Sequence, residues 1–158
     1  MKEDKEKKIK ITPIENGTVI DHIRQGQALK VLKILNLIDT EIDSIVSIAM
    51  NVNSSIGKKD IVKVENMELD NEDLDKISLI SPEATVNIIR DYDVVEKHRV
   101  RLPDYAKGIV RCRNKNCITN QNEPIPSKFK VVGDDPVTLR CTYCERIMKG
   151  EEISENVI

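Results

Sequence analysis

The sequence predicts an α+β protein: an antiparallel sheet with two helices on one face, followed by a small β-rich lobe built around a metal ion. Three observations predict it. Short β-branched runs and two helical stripes follow one another in the order β, α, β, β, α, β, with a final β. Beyond Pro103 large apolar residues thin out; Val110, Ile118, Phe129, Val131, Val132, Leu139 and Ile147 are most of them. In that thin stretch stand all four cysteines, as two close pairs, Cys112/Cys117 and Cys141/Cys144.

In chain order, residues 1–8 are a charge run without an apolar anchor, expected to be a mobile tail. Ile9-Lys10-Ile11-Thr12-Pro13-Ile14 alternates and is expected to be a strand, with Pro13 at an edge or bend because it has no N–H to donate. Asn16-Gly17 is a turn signal, followed by Thr18 to Ile23. Ala28, Val31, Leu32 and Leu35 recur at helical spacing with Lys30 and Lys33 turned outward, and Asn36 is a stop signal. Ser44 to Val52 is a β-branched run and is expected to be a strand; the polar stretch 53–59 is expected to be a loop, and Asp60 to Val64 a second strand. Asp70 has the character of an N-cap for a helix carrying Leu74 and Ile77, which Ser81-Pro82 ends. Thr85 to Ile89 and Val94 to Lys97 are two further strands joined through Arg90-Asp91-Tyr92-Asp93.

That succession is the split-βαβ, ferredoxin-like arrangement. Leu102-Pro103-Asp104 marks the expected boundary, dividing a domain at 9–102 from one at 103–158. Neither a repeat nor a low-complexity tract is present.

Composition narrows the function. Over 158 residues the formal net charge is −2, and tryptophan is absent. Such a balance argues against a protein that coats nucleic acid through its overall field, while leaving room for a local basic pocket. No run approaches the roughly 18 apolar residues of a membrane span. Residues 2–8 are charged with no apolar run behind them, so no secretory leader is expected and the setting reads as cytoplasmic.

The cysteine pairs then read as metal ligands. Two knuckles, one with four residues between its sulfurs and one with two, can place four thiolates at the corners of a tetrahedron, which suits Zn²⁺ in a closed structural site. Iron accepts the same sulfur tetrahedron, and spacing does not separate the two metals. Disulfides belong to oxidising compartments and fit this setting less well. A lobe this small gains roughly 3–5 kcal/mol from its own core, against about 10–16 kcal/mol from a structural zinc.

Other motifs are weaker. Asp21-His22 could suggest acid–base chemistry, but the cysteines are committed to metal and no nucleophile signature accompanies the pair. Gly57-Lys58-Lys59-Asp60 lacks the pattern of a phosphate-binding loop. Lys63 and Lys97 each stand among apolar strand residues, and their strands could flank one anion-binding cleft. Arg111, Arg113, Lys115, Arg140 and Arg146 near the metal leave open a zinc ribbon that grips nucleic acid, although Phe129 and Tyr143 alone are available there for base stacking.

Taken together, Gly17-Thr18-Val19-Ile20-Asp21-His22-Ile23, the stretch from Gly57 to Asn66, Ser81-Pro82-Glu83-Ala84-Thr85-Val86-Asn87 and the four-cysteine framework resemble the regulatory chain of aspartate carbamoyltransferase, from about Lys8 to about Met148. The resemblance implies a non-catalytic subunit of pyrimidine biosynthesis whose first domain binds CTP or ATP, with UTP as a further effector. It also implies regulatory-chain homodimers, a zinc domain that docks on the catalytic chains, and no role for nucleic acid or membrane.

Carried over by position, the resemblance implies that Ile11, Thr12, Pro13 and Ile14 form a wall for the base, with Asn87, Ile89, Tyr92 and Val94 around it. Asp21 and Lys63 would hold the ribose, and His22, Lys97, Lys8 and Lys59 the triphosphate. Asn114, Asn116 and Glu145 match positions that face the catalytic chain. Thr12-Pro13 departs from the acidic and small residues expected there, removing a carboxylate that could help hold magnesium between CTP and UTP. Ile88 stands where the family can carry an arginine.

Overall fold

A computed structural model of the chain describes residues 13–38, 41–55, 57–122 and 125–158. The expected tail at 1–8, the candidate residues Lys8, Ile11 and Thr12, and most of the strand expected at Ile9–Ile14 lie outside the described residues; Pro13 and Ile14 carry no strand.

Two compact units are present. The first holds a five-stranded antiparallel sheet of β1 (Gly17–Arg24), β2 (Val46–Ser54), β3 (Gly57–Glu65), β4 (Thr85–Arg90) and β5 (Asp93–Arg99), in the order β2-β3-β1-β4-β5. This is the split-βαβ order, with β5 added at one edge as a hairpin. Two points differ from the sequence reading. The opening strand is β1, whose alternation is broken by a bulge between Ile20 and Ile23. Gly57-Lys58-Lys59 belongs to β3 and not to a loop, because these residues pair with Ser54, Asn53 and Val52 across a tight hairpin.

Register decides which residues share a face, since directly opposed residues of neighbouring strands point the same way. Ile48, Val62, Ile20, Val86 and His98 form one row across all five strands, with Ile20, Val62 and Val86 fully buried. Ser47, Lys63, Val19, Asn87 and Lys97 form the adjacent row, on the opposite face. Gly17 lies where β1 approaches β3: a Cβ there would stand 2.2 Å from the Val64 carbonyl oxygen. The β4–β5 turn is Asp91-Tyr92, both at positive φ (51° and 67°), the hairpin turn whose twist matches its strands.

The second unit takes up the helical crossover α1 (Ala28–Ile34) from Leu29 onward, α2 (Asn71–Ile80), and everything from Val100 on. Helix α1 buries the expected stripe of Ala28, Val31, Leu32 and Leu35. It ends in a Schellman motif: Leu37 N–H donates to Leu32 O (2.9 Å) and Asn36 N–H to Lys33 O (3.0 Å), with Asn36 left-handed at φ 58°. Helix α2 starts one residue after Asp70 and carries Glu72 and Asp73 in its first turn, where negative charge suits the dipole.

The same unit contains a four-stranded antiparallel sheet, β6 (Tyr105–Lys107), β7 (Lys128–Asp134), β8 (Val137–Cys141) and β9 (Ile147–Lys149), in sequence order, followed by the short helix α3 (Glu151–Glu155). The core beneath this sheet is small: Phe129, Leu139, Met148 and Ile153 are its largest fully buried side chains, and Ile34 of α1 and Ile77 of α2 are further ones in the unit. No helix among the described residues is long and apolar enough to cross a membrane.

Candidate metal centre and anion-binding face

Both cysteine pairs sit on knuckles that the backbone closes by itself. Cys141 ends β8, and the turn behind it is tied by Arg146 O accepting from Cys141 N–H (2.9 Å) and Cys141 O from Glu145 N–H (3.0 Å). Glu145 takes a positive φ of 65° to make that turn. In the first knuckle Cys117 N–H donates to Asn114 O (3.0 Å), and Asn116 N–H to Asn114 Oδ1 (3.1 Å). Asn120, which sequence reasoning missed, braces this loop: its Nδ2 donates to the carbonyls of Cys112 and Asn114, each at 2.7 Å. Asparagine is common in such turns, and no spacing rule distinguishes this one.

The result is a set of four sulfurs within 4.8 Å of one another, with Cys112 Sγ 3.5 Å from Cys144 Sγ and Cys117 Sγ 3.7 Å from Cys141 Sγ. Four thiolates held about 2.3 Å from one central ion lie about 3.8 Å apart by tetrahedral geometry, so the spacing suits one metal with every position taken. Electrostatics point the same way. Burial pushes the Cys112 thiol up to about 12 and that of Cys141 up as well. Burial also opposes ionisation of Cys144, but the Arg146 N–H, Asn114 and the neighbouring sulfurs bring it down to about 7. A divalent cation at the centre reverses the burial penalty and favours thiolate throughout. With the shell closed, the ion is structural.

In the first unit, the bulge in β1 turns His22 to φ 57°, a conformation open to few residues besides glycine, and re-aims its ring. His22 Nδ1 then lies 3.3 Å from Thr85 Oγ1, while the His22 backbone N–H donates to Asp21 Oδ1 at 2.6 Å. Lys59 Nζ stands 2.9 Å from Asp21 Oδ1. Next to this trio opens a cavity of about 550 Å³ lined by His22, Arg24, Ser54, Lys58, Lys59, Glu83, Thr85 and Arg99 among others. Arg24 is clamped by Glu83 through two bonds of 2.9 and 2.6 Å.

Of the predicted residues, Asp21, His22 and Lys59 thus meet at the cavity's rim. Lys63, Asn87 and Lys97 lie one row away on the same face, two residues from the Asp21–Thr85–Arg99 row or about 7 Å along the strands. Lys63 is 8% exposed, and burial lowers its pKa although Glu65 pulls the other way. Ile89 pairs with Gly17 on one side and Val94 on the other, two residues beyond Asn87 in the opposite direction. Ile14 is buried and Pro13 exposed. Tyr92 sits in the β4–β5 turn, its N–H donating to Glu15 O (2.9 Å) and its side chain 65% exposed, so it lies at the far end of this face from His22. Sequence reasoning gave no site role to Thr85, Arg99 or Arg24 and set Lys58 aside with the Gly57-Lys58-Lys59-Asp60 motif; the register across β1, β3, β4 and β5 brings them in. In the second unit Asn116 and Glu145 are exposed and Asn114 is half-buried.

Comparison with known proteins matches both parts of the chain. Family models named for the aspartate carbamoyltransferase regulatory chain match its allosteric domain over residues 9–101 and its metal binding domain over 104–154. Proteins described as aspartate carbamoyltransferase regulatory chain are similar along nearly their whole length. The one from Methanosarcina acetivorans is 53% identical with 100% of each chain covered. That from Methanothermobacter thermautotrophicus is 53% identical over 92% of each, and that from Thermoplasma volcanium 48% identical over 95% of this chain and 99% of its own.

Proposed function

The chain belongs to the family of aspartate carbamoyltransferase regulatory chains, non-catalytic allosteric subunits with a metal-binding domain, and on that premise we propose that residues 9–102 read CTP and ATP while residues 103–158, folded around zinc, dock on the catalytic chains. One observation carries the nucleotide reading. A single face of the sheet presents Ile89 and Val94, then Lys63, Asn87 and Lys97, then Asp21, His22 and Lys59, in that order along the strands. That is an apolar platform for a base, then polar groups and cations for a ribose and a polyphosphate. Lys63 is nearly buried with a depressed pKa, and an anion beside it would offset the cost of keeping it charged.

Each residue has a task on this reading. Asn87, near the base, can donate and accept, and Ile89 and Val94 cover its faces. Asp21, held by Lys59, accepts from ribose hydroxyls. His22, Lys59 and Lys97 meet the phosphates, with Lys8, Ile11, Thr12, Pro13, Ile14 and Tyr92 closing the site by analogy with the family. UTP is a weaker candidate because it lacks the exocyclic amino group that CTP and ATP share. The exposed Asn116 and Glu145, with Asn114, form the catalytic-chain contact.

Two copies pair along β2, an edge of the sheet among the described residues that exposes Ile48 and Met50 (39% and 40%), with Ile45 just before it (63%). The setting is the cytoplasm, where pyrimidine synthesis supplies CTP. Regulation is then a coupling free energy, typically about 1–3 kcal/mol, and requires that nucleotide bind two states of the assembly unequally.

The test is calorimetric titration of the chain with CTP, ATP and UTP, followed by mixing with an aspartate carbamoyltransferase catalytic trimer. Saturable CTP and ATP binding that weakens on changing Lys59 to Ala, and a larger complex whose aspartate response shifts with CTP, are expected. Indifference to both nucleotides at millimolar concentration would overturn the reading.

A further inference from the structure

Resting on the reading of the chain as a nucleotide-controlled subunit, we propose that helix α1 is the strap carrying the nucleotide signal to the partner-facing knuckle, held by Asp60 at its start and by a Lys30–Glu151 ion pair in its first turn. Asp60 has no exposed surface, and both carboxylate oxygens are used. Oδ2 accepts from the Ala28 N–H, the first of α1, at 3.0 Å; Oδ1 accepts from the Asn51 N–H in the β2 bulge, also at 3.0 Å. Asp60 directly follows Lys59, whose ammonium group stands at the anion-binding face. A shift of β3 that brings Lys59 to a phosphate therefore moves the group that fixes the start of α1.

From Ala28 the path runs through covalent and ionic ties. Lys30 lies two residues on, and its Nζ is 3.2 Å from Glu151 Oε1 at the start of α3. The next residue of α3, Glu152, pairs with Arg113, which stands between Cys112 and Asn114. Asn156, capping the other end of α3, accepts at its carbonyl from Arg111 N–H at 2.6 Å. Helix α3 thus grips the first knuckle on both sides of Cys112, and that knuckle carries Asn114 and Asn116.

Strength favours a signalling role over a structural one. Glu151 is 78% exposed, and exposed pairs of this kind change an equilibrium by a factor of about 1.4 to 5. Such a factor is too small to hold a fold together. It is a substantial part of the roughly 5- to 150-fold factor of a typical allosteric coupling.

Charge reversal tests the strap in the full chain reassembled with catalytic trimers. K30E and E151K are made singly and together, and three quantities are measured: CTP and ATP dissociation constants of the chain, its metal content, and the nucleotide-dependent shift in half-saturating aspartate of the complex. Each single reversal is expected to leave metal content unchanged and nucleotide affinity within about twofold, and to shrink the aspartate shift by about two- to fivefold. The double reversal, which restores the pair with opposite polarity, is expected to regain the shift. Single variants that keep the full shift, or a double variant that does not recover it, would overturn the proposal. So would an Ala28 amide whose hydrogen exchange is indifferent to CTP. A wild-type complex that ignores nucleotides would instead sink the underlying reading, so the two failures are told apart by the unmodified protein.

Discussion

Lys63 and Asn87 face one another across Val19: both are directly opposite it, one on β3 and the other on β4, so their side chains flank the same short side chain on the same face. Only Lys63 is nearly buried, and its lowered pKa shows that the apo fold bears a cost for holding that charge. Replacing Lys63 with Met is expected to weaken CTP binding by at least about tenfold while raising the melting temperature of the nucleotide-free chain by a few degrees, on the order of 2–4 °C. The sign with pH follows. A base whose folded pKa is depressed loses stability when it must be protonated, so the advantage of Met is present at neutral pH. It closes as the pH rises through the folded pKa and past the ordinary 10.5, above which the wild-type lysine is neutral in both states. Thermal melts at pH 7 and pH 10.5, with calorimetry at pH 7, measure both effects.

Removing the metal should unfold one part of the chain and spare another. The cysteine-bearing sheet buries few large side chains, Phe129, Leu139, Met148 and Ile153 foremost, and a structural zinc contributes on the order of 10–16 kcal/mol. A strong chelator is expected to abolish the dispersed amide signals of β7, β8 and β9 while those of β1 and β4 persist. Cys144→Ser should reproduce the loss without chelator. Elemental analysis of the purified chain, with one zinc per chain expected, identifies the metal.

The metal centre was legible in the sequence because its ligands come in two local pairs, Cys112/Cys117 and Cys141/Cys144, whose spacing alone limits what they can hold. The order of elements was legible too, since Ala28, Val31, Leu32 and Leu35 announce α1 by period. The candidate anion-binding face was not legible from local pattern. Strand order alone set Lys63 and Lys97 on the flanks of one cleft, but Val19 and Asn87 join them only through register on four strands; the family resemblance had to supply Asn87. Local rules failed outright at two places. Asp21-His22 breaks the alternation of β1 because a bulge sits there. Gly57-Lys58-Lys59 carries the composition of a loop, yet it is the first third of β3. Both lie at the candidate site, where cations in strands are tolerated for what they bind.

Gly17 makes a steric prediction. Its φ of 144° and the 2.2 Å that would separate an added Cβ from Val64 O leave no room for alanine without parting β1 from β3. Gly17→Ala should cost at least about 2 kcal/mol, read as a lower urea midpoint. Because β3 carries both Lys59 and Lys63, nucleotide affinity should fall with it.

The β2 edge makes a prediction about assembly. Ile48 and Met50 are apolar, partly exposed, and on the strand that forms one edge of the sheet among the described residues. Changing Ile48 to Lys should convert the zinc-loaded chain from dimer to monomer in sedimentation velocity, with its circular dichroism unchanged, since charge on an edge strand opposes edge-to-edge pairing. A wild-type chain that sediments as a monomer at tens of micromolar, on the order of 10⁻⁵ M, would contradict pairing through this edge.

Asp60 separates stability from signalling at one residue. Its two oxygens accept from Ala28 N–H and Asn51 N–H, each at 3.0 Å, with no exposed surface to let water substitute. Asp60→Asn keeps the size and one acceptor, but turns an NH₂ group toward a backbone donor. The expected loss is about 1–3 kcal/mol, the cost of leaving a buried donor unpaired. Asp60→Ala leaves both N–H groups unpaired and opens a void, so it should lose more. Urea unfolding followed by circular dichroism ranks the three proteins, and the order wild type, Asn, Ala is required. If Asn and wild type unfold together, water or a rearranged backbone is supplying the missing acceptor, and the carboxylate is not what fixes the start of α1.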